Sequence, residues 1–272
     1  MACHGYSSGW LESAKYGARI RPMNDYPTSP VTPARVLIAP ADTMRGEWQR
    51  LGAFLKRPSL GVNAEQSQPF KVLARIYTLD VAAMAALITL ATIAVAAGIY
   101  IPATALAGIE FTPLVILSVV IGAPVLEEIF FRGWLSGKPA HIYALLAVIL
   151  GAVGFGVSHQ TSPMLGLAAP VIGIAAAIGL AFRLRNRPPF GWFAFAFPVF
   201  FWLSTVAFAL VHLWNFEEGS LAILLPLVLP QFILGMLLGY VRVRIGLWSA
   251  ILLHAAHNAT ALSIAALATA GA

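Results

Sequence analysis

The sequence predicts an all-α, polytopic membrane helix bundle with about seven transmembrane spans and its N-terminus inside. Of the 272 residues, 59% are hydrophobic and only 10% are charged, whereas soluble domains carry roughly 25% charged residues. Apolar stretches of about 20 residues, the length that crosses a bilayer as a helix, recur after Leu79. When successive stretches cross the membrane in alternating directions, all 17 Lys and Arg residues lie on one side of it. Cytoplasmic loops are enriched in Lys and Arg, so this side is predicted to be the cytoplasmic one.

Seven stretches qualify as spans by length and hydropathy. In chain order they are Val81 to Ile101, Thr112 to Trp134, His141 to Ser158, Leu165 to Phe182, Phe193 to Leu213, Leu221 to Val241 and Leu247 to Leu267. On the predicted inner side lie ten basic residues before Asp80 and then Arg132, Lys138, Arg183, Arg185, Arg187, Arg242 and Arg244. The loops on the other side carry no Lys or Arg, and their charged residues are Glu110, Glu217 and Glu218.

A change in composition near residue 79 predicts two regions, a cytoplasmic basic arm (1–78) and a transmembrane domain (79–272). Seven prolines interrupt the arm, which favours disorder over most of its length. Between Met44 and Arg57, however, the sequence could form an amphipathic helix on the membrane surface, with a solvated tail as the alternative. The apolar residues of that helix, which would face lipid, are Trp48, Leu51, Phe54 and Leu55.

Three further features narrow the function classes. The net charge of +6 does not indicate a nucleic-acid partner, because the basic residues flank apolar spans and are explained by topology and by anionic lipid headgroups of the bilayer. Cys3 is the single cysteine, so neither an intrachain disulfide nor a Cys-based metal site can form. Gly235 and Gly239 form a GxxxG pair in the sixth span, which predicts close helix packing.

Charged residues inside a bilayer are costly, by roughly 2.5 to 3.5 kcal/mol for a central Asp, Lys or Arg on translocon scales. The segment PVLEEIFFRGWL places Glu127, Glu128 and Arg132 in the second span. Glu128 and Arg132 are four residues apart and can pair on one helix face, while Glu127 is rotated by about 100° from Glu128. The pattern therefore predicts one glutamate held by arginine and one able to exchange a proton, unless all three form an interfacial ion pair.

Further polar residues lie on the fifth and seventh spans. His212 follows the apolar run STVAFALV, and ILLHAAHNAT presents His254 and Asn258 four residues apart, with His257 beside them. A lone buried histidine usually has only a structural hydrogen bond. A carboxylate, two imidazoles and a carboxamide in one small bundle, however, are the groups needed to activate water and to stabilise an oxyanion.

Three motifs occur in order in this sequence, and each lies on a predicted span. EExxxR corresponds to Glu127 to Arg132, FxxxH to Phe208 to His212, and HxxxN to His254 to Asn258. With these motifs the sequence resembles the CAAX protease and bacteriocin-processing (CPBP, or Abi) family of intramembrane peptidases, which includes the CAAX prenyl protease type 2 enzymes. The match covers Leu114 to Ala261.

The resemblance implies a function and a role for each motif residue. The chain would be a glutamate-dependent endopeptidase that hydrolyses a peptide bond of a membrane-associated protein or peptide, in the inner membrane of a bacterial cell. Glu127 would be the general base and His212 would help to hold the attacking water. His254 and Asn258 would stabilise the oxyanion, and Glu128 and Arg132 would support Glu127.

Two questions stay open at this level. Family members are often called metalloproteases, but without an HExxH motif a metal-free mechanism and a divalent metal such as zinc are both plausible. Phe155 to His159 also fits FxxxH and follows EExxxR by one span, the usual family distance. We favour His212, which makes residues 140 to 189 an inserted helical pair. To bring His212 to the depth of Glu127, we expect prolines up to Pro198 to delay the fifth span.

Two other functions compete with peptidase activity. A non-catalytic member of the same fold would use the cavity to hold a peptide, as an immunity or scaffold protein. A proton-coupled transporter would use Glu127 and the histidines as a proton relay, although no internal repeat or second charged path is visible in the sequence.

Overall fold

The computed structural model describes residues 36–38, 41–60, 64–104, 108 and 110–270. Its elements are β1 (Val36–Ile38), α1 (Met44–Lys56), β2 (Ala64–Gln66), α2 (Pro69–Ala96), α3 (Pro113–Leu117), α4 (Ala123–Arg132), α5 (Pro139–Ser158), α6 (Pro163–Leu184), α7 (Gly191–Val211), α8 (Leu221–Leu227), α9 (Leu229–Arg244) and α10 (Leu247–Ala270). A π-helical turn (Ser118–Gly122) joins α3 to α4. Two 3-10 turns, Gly133–Ser136 and His212–Asn215, follow α4 and α7.

The predicted all-α membrane architecture is confirmed. Within the described ranges, six helical segments are long and apolar enough to cross a membrane, and α8 and α9, bent by 41° with respect to each other, make a seventh if they form one span. The two three-residue strands pair in parallel, with Val36 opposite Ala64. Within the described ranges these two strands form the only β-sheet.

The first membrane helix begins earlier than the sequence predicted. Helix α2 starts at Pro69, not at Val81, so the predicted boundary at residue 78 falls inside a helix. Lys71 and Arg75 lower the hydropathy of this first part of the helix. Val72 and Ile76, on the other hand, are fully buried, and the Arg75 guanidinium donates to the carbonyls of Ala41 and Asp42. The charge of Arg75 therefore lies at these backbone carbonyls, and the residue does not interrupt the helix.

Helix α1 forms where an amphipathic helix was predicted, but its apolar side packs on the protein. Leu51 is 4% exposed, and the Phe54 ring contacts the rings of Phe201 and Tyr240 at 5.2 and 5.3 Å between centroids. The expectation that Leu51 and Phe54 face lipid is therefore wrong. Buried Glu47 anchors the helix, since its carboxylate accepts hydrogen bonds from the Tyr240 hydroxyl (2.8 Å) and the Ala41 amide (3.1 Å). The part of the predicted arm before Val36 lies outside the described residues.

Helices α5 and α6 form an antiparallel pair that packs chiefly on itself. Small residues allow the close approach: a Cβ added to Gly173 would lie 2.7 Å from the carbonyl oxygen of Ala147 and 2.9 Å from the Cα of Gly151. Most of the large side chains on this pair are exposed in the protein, among them Leu150, Val157, Leu167 and Ile178. Such a surface suits contact with lipid.

Helices α7 and α9 run antiparallel, and they approach each other closely, as the GxxxG pair predicted. A Cβ on Gly239 would lie 2.5 Å from Cε2 of Phe201, and one on Gly235 would lie 3.3 Å from the Phe208 ring. Helix α7 itself begins at Gly191 and continues through Pro198. The expectation that Pro198 delays this span is therefore wrong.

We expect Gly239→Ala to lower the free energy of unfolding by about 1–3 kcal/mol, the usual cost of overpacking a well-packed core. The Phe201 ring is fully buried and has little room to move. Unfolding in detergent micelles, followed by circular dichroism, measures the effect. Gly179→Ala in α6 is the control, because an added Cβ there meets no atom within 4 Å. Equal stability of both variants would contradict the packing argument.

Candidate active site

The centre of the candidate site is a buried ion pair on α4. Arg132 Nη1 donates to Glu128 Oε1 at 2.8 Å, and the two side chains are 1% and 0% exposed. Their four-residue spacing places them on one face of the helix, as the sequence predicted. The guanidinium carbon of Arg132 also lies 3.9 Å from the centroid of the Phe208 ring, a cation–π contact with α7.

His254 on α10 completes this buried network. Its Nδ1 lies 3.0 Å from Glu128 Oε1. Because an ionised carboxylate can only accept, Nδ1 must carry the proton that joins the two groups. The other ring nitrogen, Nε2, then points away from the ion pair and lies 3.8 Å from Oε2 of Glu127. Glu128 thereby orients the imidazole towards the second glutamate.

His212 is oriented in a similar way by a backbone group. Its Nδ1 lies 2.7 Å from the carbonyl oxygen of Phe208, which can only accept, so the proton is on Nδ1. In a neutral ring Nε2 is therefore an acceptor, and this atom lies 3.9 Å from Oε2 of Glu127. Phe208 supports both histidines, since its ring also contacts those of His212 and His254 at 4.8 and 5.5 Å.

Glu127 lies between the two imidazoles. Its side chain is 30% exposed, but its Oε2 atom is buried and accepts no hydrogen bond from the described part of the chain. Separations of 3.9 and 3.8 Å from the two Nε2 atoms exceed the 2.7 to 3.2 Å of a direct hydrogen bond. At such separations two polar groups can be linked through a water molecule instead of directly.

The antiparallel crossing of α4 and α7 explains why Glu127 and His212 meet despite their apparent difference in depth. The Ser204 hydroxyl donates to the Phe131 carbonyl at 2.6 Å, which fixes the level of the crossing. Glu127 is one turn beyond that level, and His212 is two turns beyond it. Side chains lean towards the N-terminus of their own helix, so Glu127 leans towards His212 and His212 leans back.

Asn258 is not brought to Glu127 by any contact within the described ranges. Its Nδ2 instead donates to the carbonyl oxygen of Val119 at 2.9 Å, inside the π-helical turn that precedes α4. An i→i+5 turn frees backbone groups from regular α-helical pairing, and the carboxamide satisfies one of them. In this position Asn258 holds the π-helical turn that leads into α4, the helix that carries Glu127.

His159, the competing histidine, lies at the end of α5. Its Nδ1 donates to the Phe155 carbonyl at 3.0 Å and its ring stacks on that of Phe155. Gly166 of α6 packs against its backbone, since a Cβ there would lie 2.6 Å from the His159 Cα. The structure thus uses His159 in the α5–α6 turn, and no contact with Glu127 is found in the described residues.

Sequence reasoning missed one buried polar pair. Asp80 on α2 is 2% exposed and accepts from Nδ1 of His257 on α10 at 2.9 and 3.1 Å. Asp80 lies just before the first predicted span, and the signal that could have identified it is an acidic residue directly beside an apolar stretch of the same helix. The pair joins α2 to α10.

A divalent metal is the alternative to metal-free activation of water. Among the described residues, no group of three or more His, Cys, Asp or Glu side chains is placed to hold a metal ion. The metalloprotease alternative gains no support from this geometry, and no step below uses a metal.

Comparison with known proteins gives one result of functional value. A family model described as "Type II CAAX prenyl endopeptidase Rce1-like" matches residues 108–197 and 179–260. Together these matches span more than half of the chain and contain all six predicted site residues. No curated protein and no solved structure matches.

Proposed function

Because the chain belongs to the Rce1-like family of type II CAAX prenyl endopeptidases, we propose that Glu127 is its general base and that it hydrolyses a peptide bond of a membrane-associated protein or peptide. The family resemblance inferred from the three motifs is confirmed, and the chain is a member of a membrane peptidase family. The observation that supports the assignment of the base is the buried Glu127 Oε2, which accepts no hydrogen bond from the described residues and lies 3.9 and 3.8 Å from two imidazole Nε2 atoms.

In the proposed first step a water molecule lies between Glu127 Oε2 and His212 Nε2. Glu127 removes a proton as the water oxygen attacks the carbonyl carbon, so a C–O bond forms and the carbonyl oxygen becomes an oxyanion. His212 can accept a hydrogen bond from this water because its Nδ1 proton is committed to the Phe208 carbonyl. Base and nucleophile are thus held within reach of each other.

The second step needs a donor to the oxyanion and a proton for the leaving amine. His254, whose Nδ1–H is committed to Glu128, can donate from Nε2 as an imidazolium. The proton held by Glu127 passes to the amide nitrogen as the C–N bond breaks, which restores the carboxylate. Glu128 and Arg132 orient His254. Asn258 contributes through the π-helical turn that it holds.

The membrane orientation, the cellular location and the substrate class are also part of the proposal. We place the N-terminus on the cytoplasmic side of a bacterial inner membrane, because all 17 basic residues lie on the same side of the predicted topology as the N-terminus. The substrate class follows the family name: a protein or peptide held at the membrane, with a prenylated C-terminal motif as the first candidate. Activity is tested in proteoliposomes with fluorogenic peptides that end in Cys-Val-Ile-Met, with and without an S-farnesyl group on cysteine.

The two FxxxH histidines provide a matched pair of variants. We expect His212→Gln to lower kcat/KM for the cleaved peptide by about 100-fold, the lower range for a group that acts in proton transfer. His159→Gln should stay within about twofold of the parent protein, because the contacts of His159 with described residues are with Phe155 of α5 and Gly166 of α6. Initial rates in proteoliposomes measure both variants. The reverse ranking would reassign the site to His159.

A further inference from the structure

A glutamine outside the three motifs has an unexplained buried oxygen. Oε1 of Gln231, in the first turn of α9, is buried and accepts no hydrogen bond within the described part of the chain. Buried polar atoms without a partner are rare, because each carries a desolvation cost of about 1–3 kcal/mol. Such an atom therefore suggests that a group from another molecule supplies the missing donor.

The helical repeat places Gln231 on the face of α9 that meets the site. Gly235, four residues later, shares this face, and a Cβ on Gly235 would lie 3.3 Å from Arg132 Nη2, from the Phe208 ring and from Thr205. Gln231 is one turn nearer the start of α9. The side of α9 that it occupies is therefore the side of the buried ion pair.

The direction of α7 gives the level of Gln231 in the bundle. Gly239 of α9 lies opposite Phe201, and Gly235 lies opposite Phe208. The next turn of α9 therefore lies opposite the next turn of α7, which ends at His212. Since side chains lean towards the N-terminus of their helix, the carboxamide of Gln231 extends further in this direction.

The neighbours of Gln231 on α9 exclude the opposite orientation. Pro230 and Ile233 line a small cavity with Asp80 and His257, between α2 and α10. By the 100° rotation per residue, Gln231 points away from that cavity. The 41° bend between α8 and α9 lies three residues before Gln231, so this turn of α9 does not continue the line of α8.

We propose that Gln231 is a substrate-binding residue whose Oε1 accepts a hydrogen bond from a backbone N–H of the bound peptide near the scissile bond. This inference rests on the proposed peptidase function. A peptide that enters a membrane bundle must satisfy its own N–H groups, and the acceptors Glu127 and His212 are assigned to the attacking water, so a further acceptor is needed. The unpaired carbonyl of Gln231 provides one, and it orients the peptide relative to Glu127.

A double-mutant cycle between protein and peptide tests the contact. The probe is a dansyl-labelled peptide ending in S-farnesyl-Cys-Val-Ile-Met, and a set of analogues in which one backbone N–H at a time is replaced by an ester oxygen. We expect Gln231→Met to lower kcat/KM by about tenfold, the effect of one hydrogen bond of typical strength. At one backbone position, replacing the amide with an ester should lower kcat/KM of the parent protein by the same factor. The same ester should leave kcat/KM of Gln231→Met unchanged.

Control variants separate binding from folding. Gln231→Glu keeps a carboxyl oxygen at the same reach and should recover most of the loss, while Gln160→Met, on the exposed α5–α6 turn, should change nothing. Additive effects of Gln231→Met and the ester at every backbone position would overturn the proposal.

The failure of the proposed function would be recognised separately. If the parent protein binds the labelled peptides but hydrolyses none, the peptidase assignment is wrong. The double-mutant cycle is then measured with dissociation constants, obtained by fluorescence anisotropy, in place of kcat/KM. A non-additive pair of effects would then still support the Gln231 contact. If the parent protein neither binds nor hydrolyses any peptide of the set, both proposals are overturned.

Discussion

Glu127→Gln is expected to lower kcat/KM by about 10³-fold or more while the protein keeps its fold. The amide has the same size as the carboxyl group but cannot remove a proton from water, and a general base contributes typically 10² to 10⁴-fold. Loss of the negative charge also weakens the binding of the water between residue 127 and His212. Rates of peptide hydrolysis in proteoliposomes measure the effect, and thermal unfolding in detergent checks the fold.

The stability of this variant should be close to that of the parent, because Glu127 does not belong to the buried network. Its Oε2 accepts no hydrogen bond in the described structure, and its contacts with the histidines are long. Glu110→Gln, in an exposed loop, is the matched control and should leave the rate unchanged. Hydrolysis by Glu127→Gln at more than a tenth of the parent rate would remove Glu127 from the role of base.

Arg132→Met is expected to have the largest effect on stability, a loss of about 3–5 kcal/mol in the free energy of unfolding. Removing one partner of a buried ion pair leaves the other charge uncompensated, and Glu128 is 0% exposed. Among the described residues, His254 would then be its one remaining hydrogen-bond partner, and the cation–π contact with Phe208 would be lost as well. Denaturant-induced unfolding in mixed micelles, followed by tryptophan fluorescence, measures the change.

A second substitution tests the physical cause. In the double variant Glu128→Gln with Arg132→Met the buried charge is gone, and we expect at least half of the lost stability to return. Arg183→Met, on the exposed end of α6, controls for the loss of a basic residue. If the double variant were no more stable than Arg132→Met, the loss would have to come from packing and not from the buried carboxylate.

The parts of the fold that depend on local properties could be predicted from the sequence. Apolar length alone indicated the membrane helices, and four-residue spacing indicated the Glu128–Arg132 pair, because helix geometry fixes both. The start of α2 could not be placed in this way. Arg75 reads as a residue outside the membrane, whereas its side chain reaches the carbonyls of Ala41 and Asp42 and leaves the helix intact.

Contacts between helices could not be predicted from the sequence, for a physical reason. Nothing in the spacing says that Glu128 meets His254 or that Asp80 meets His257, since each pair joins residues far apart in the chain. The choice between His159 and His212 had the same origin: both fit FxxxH, and only the crossing of α4 with α7 separates them. The roles of these residues in catalysis remain predictions that the variants above address.

The π-helical turn Ser118–Gly122 makes the position of Glu127 depend on the number of residues before it as well as on their identity. Deleting any one residue of this turn would restore a regular α-helix and rotate everything on one side by about 100°. Either Val119 would lose the Asn258 carboxamide, or Glu127 and Glu128 would leave their histidines. Single-residue insertions and deletions should therefore be tolerated far less here than in the α5–α6 turn, so gaps in natural relatives should avoid this turn.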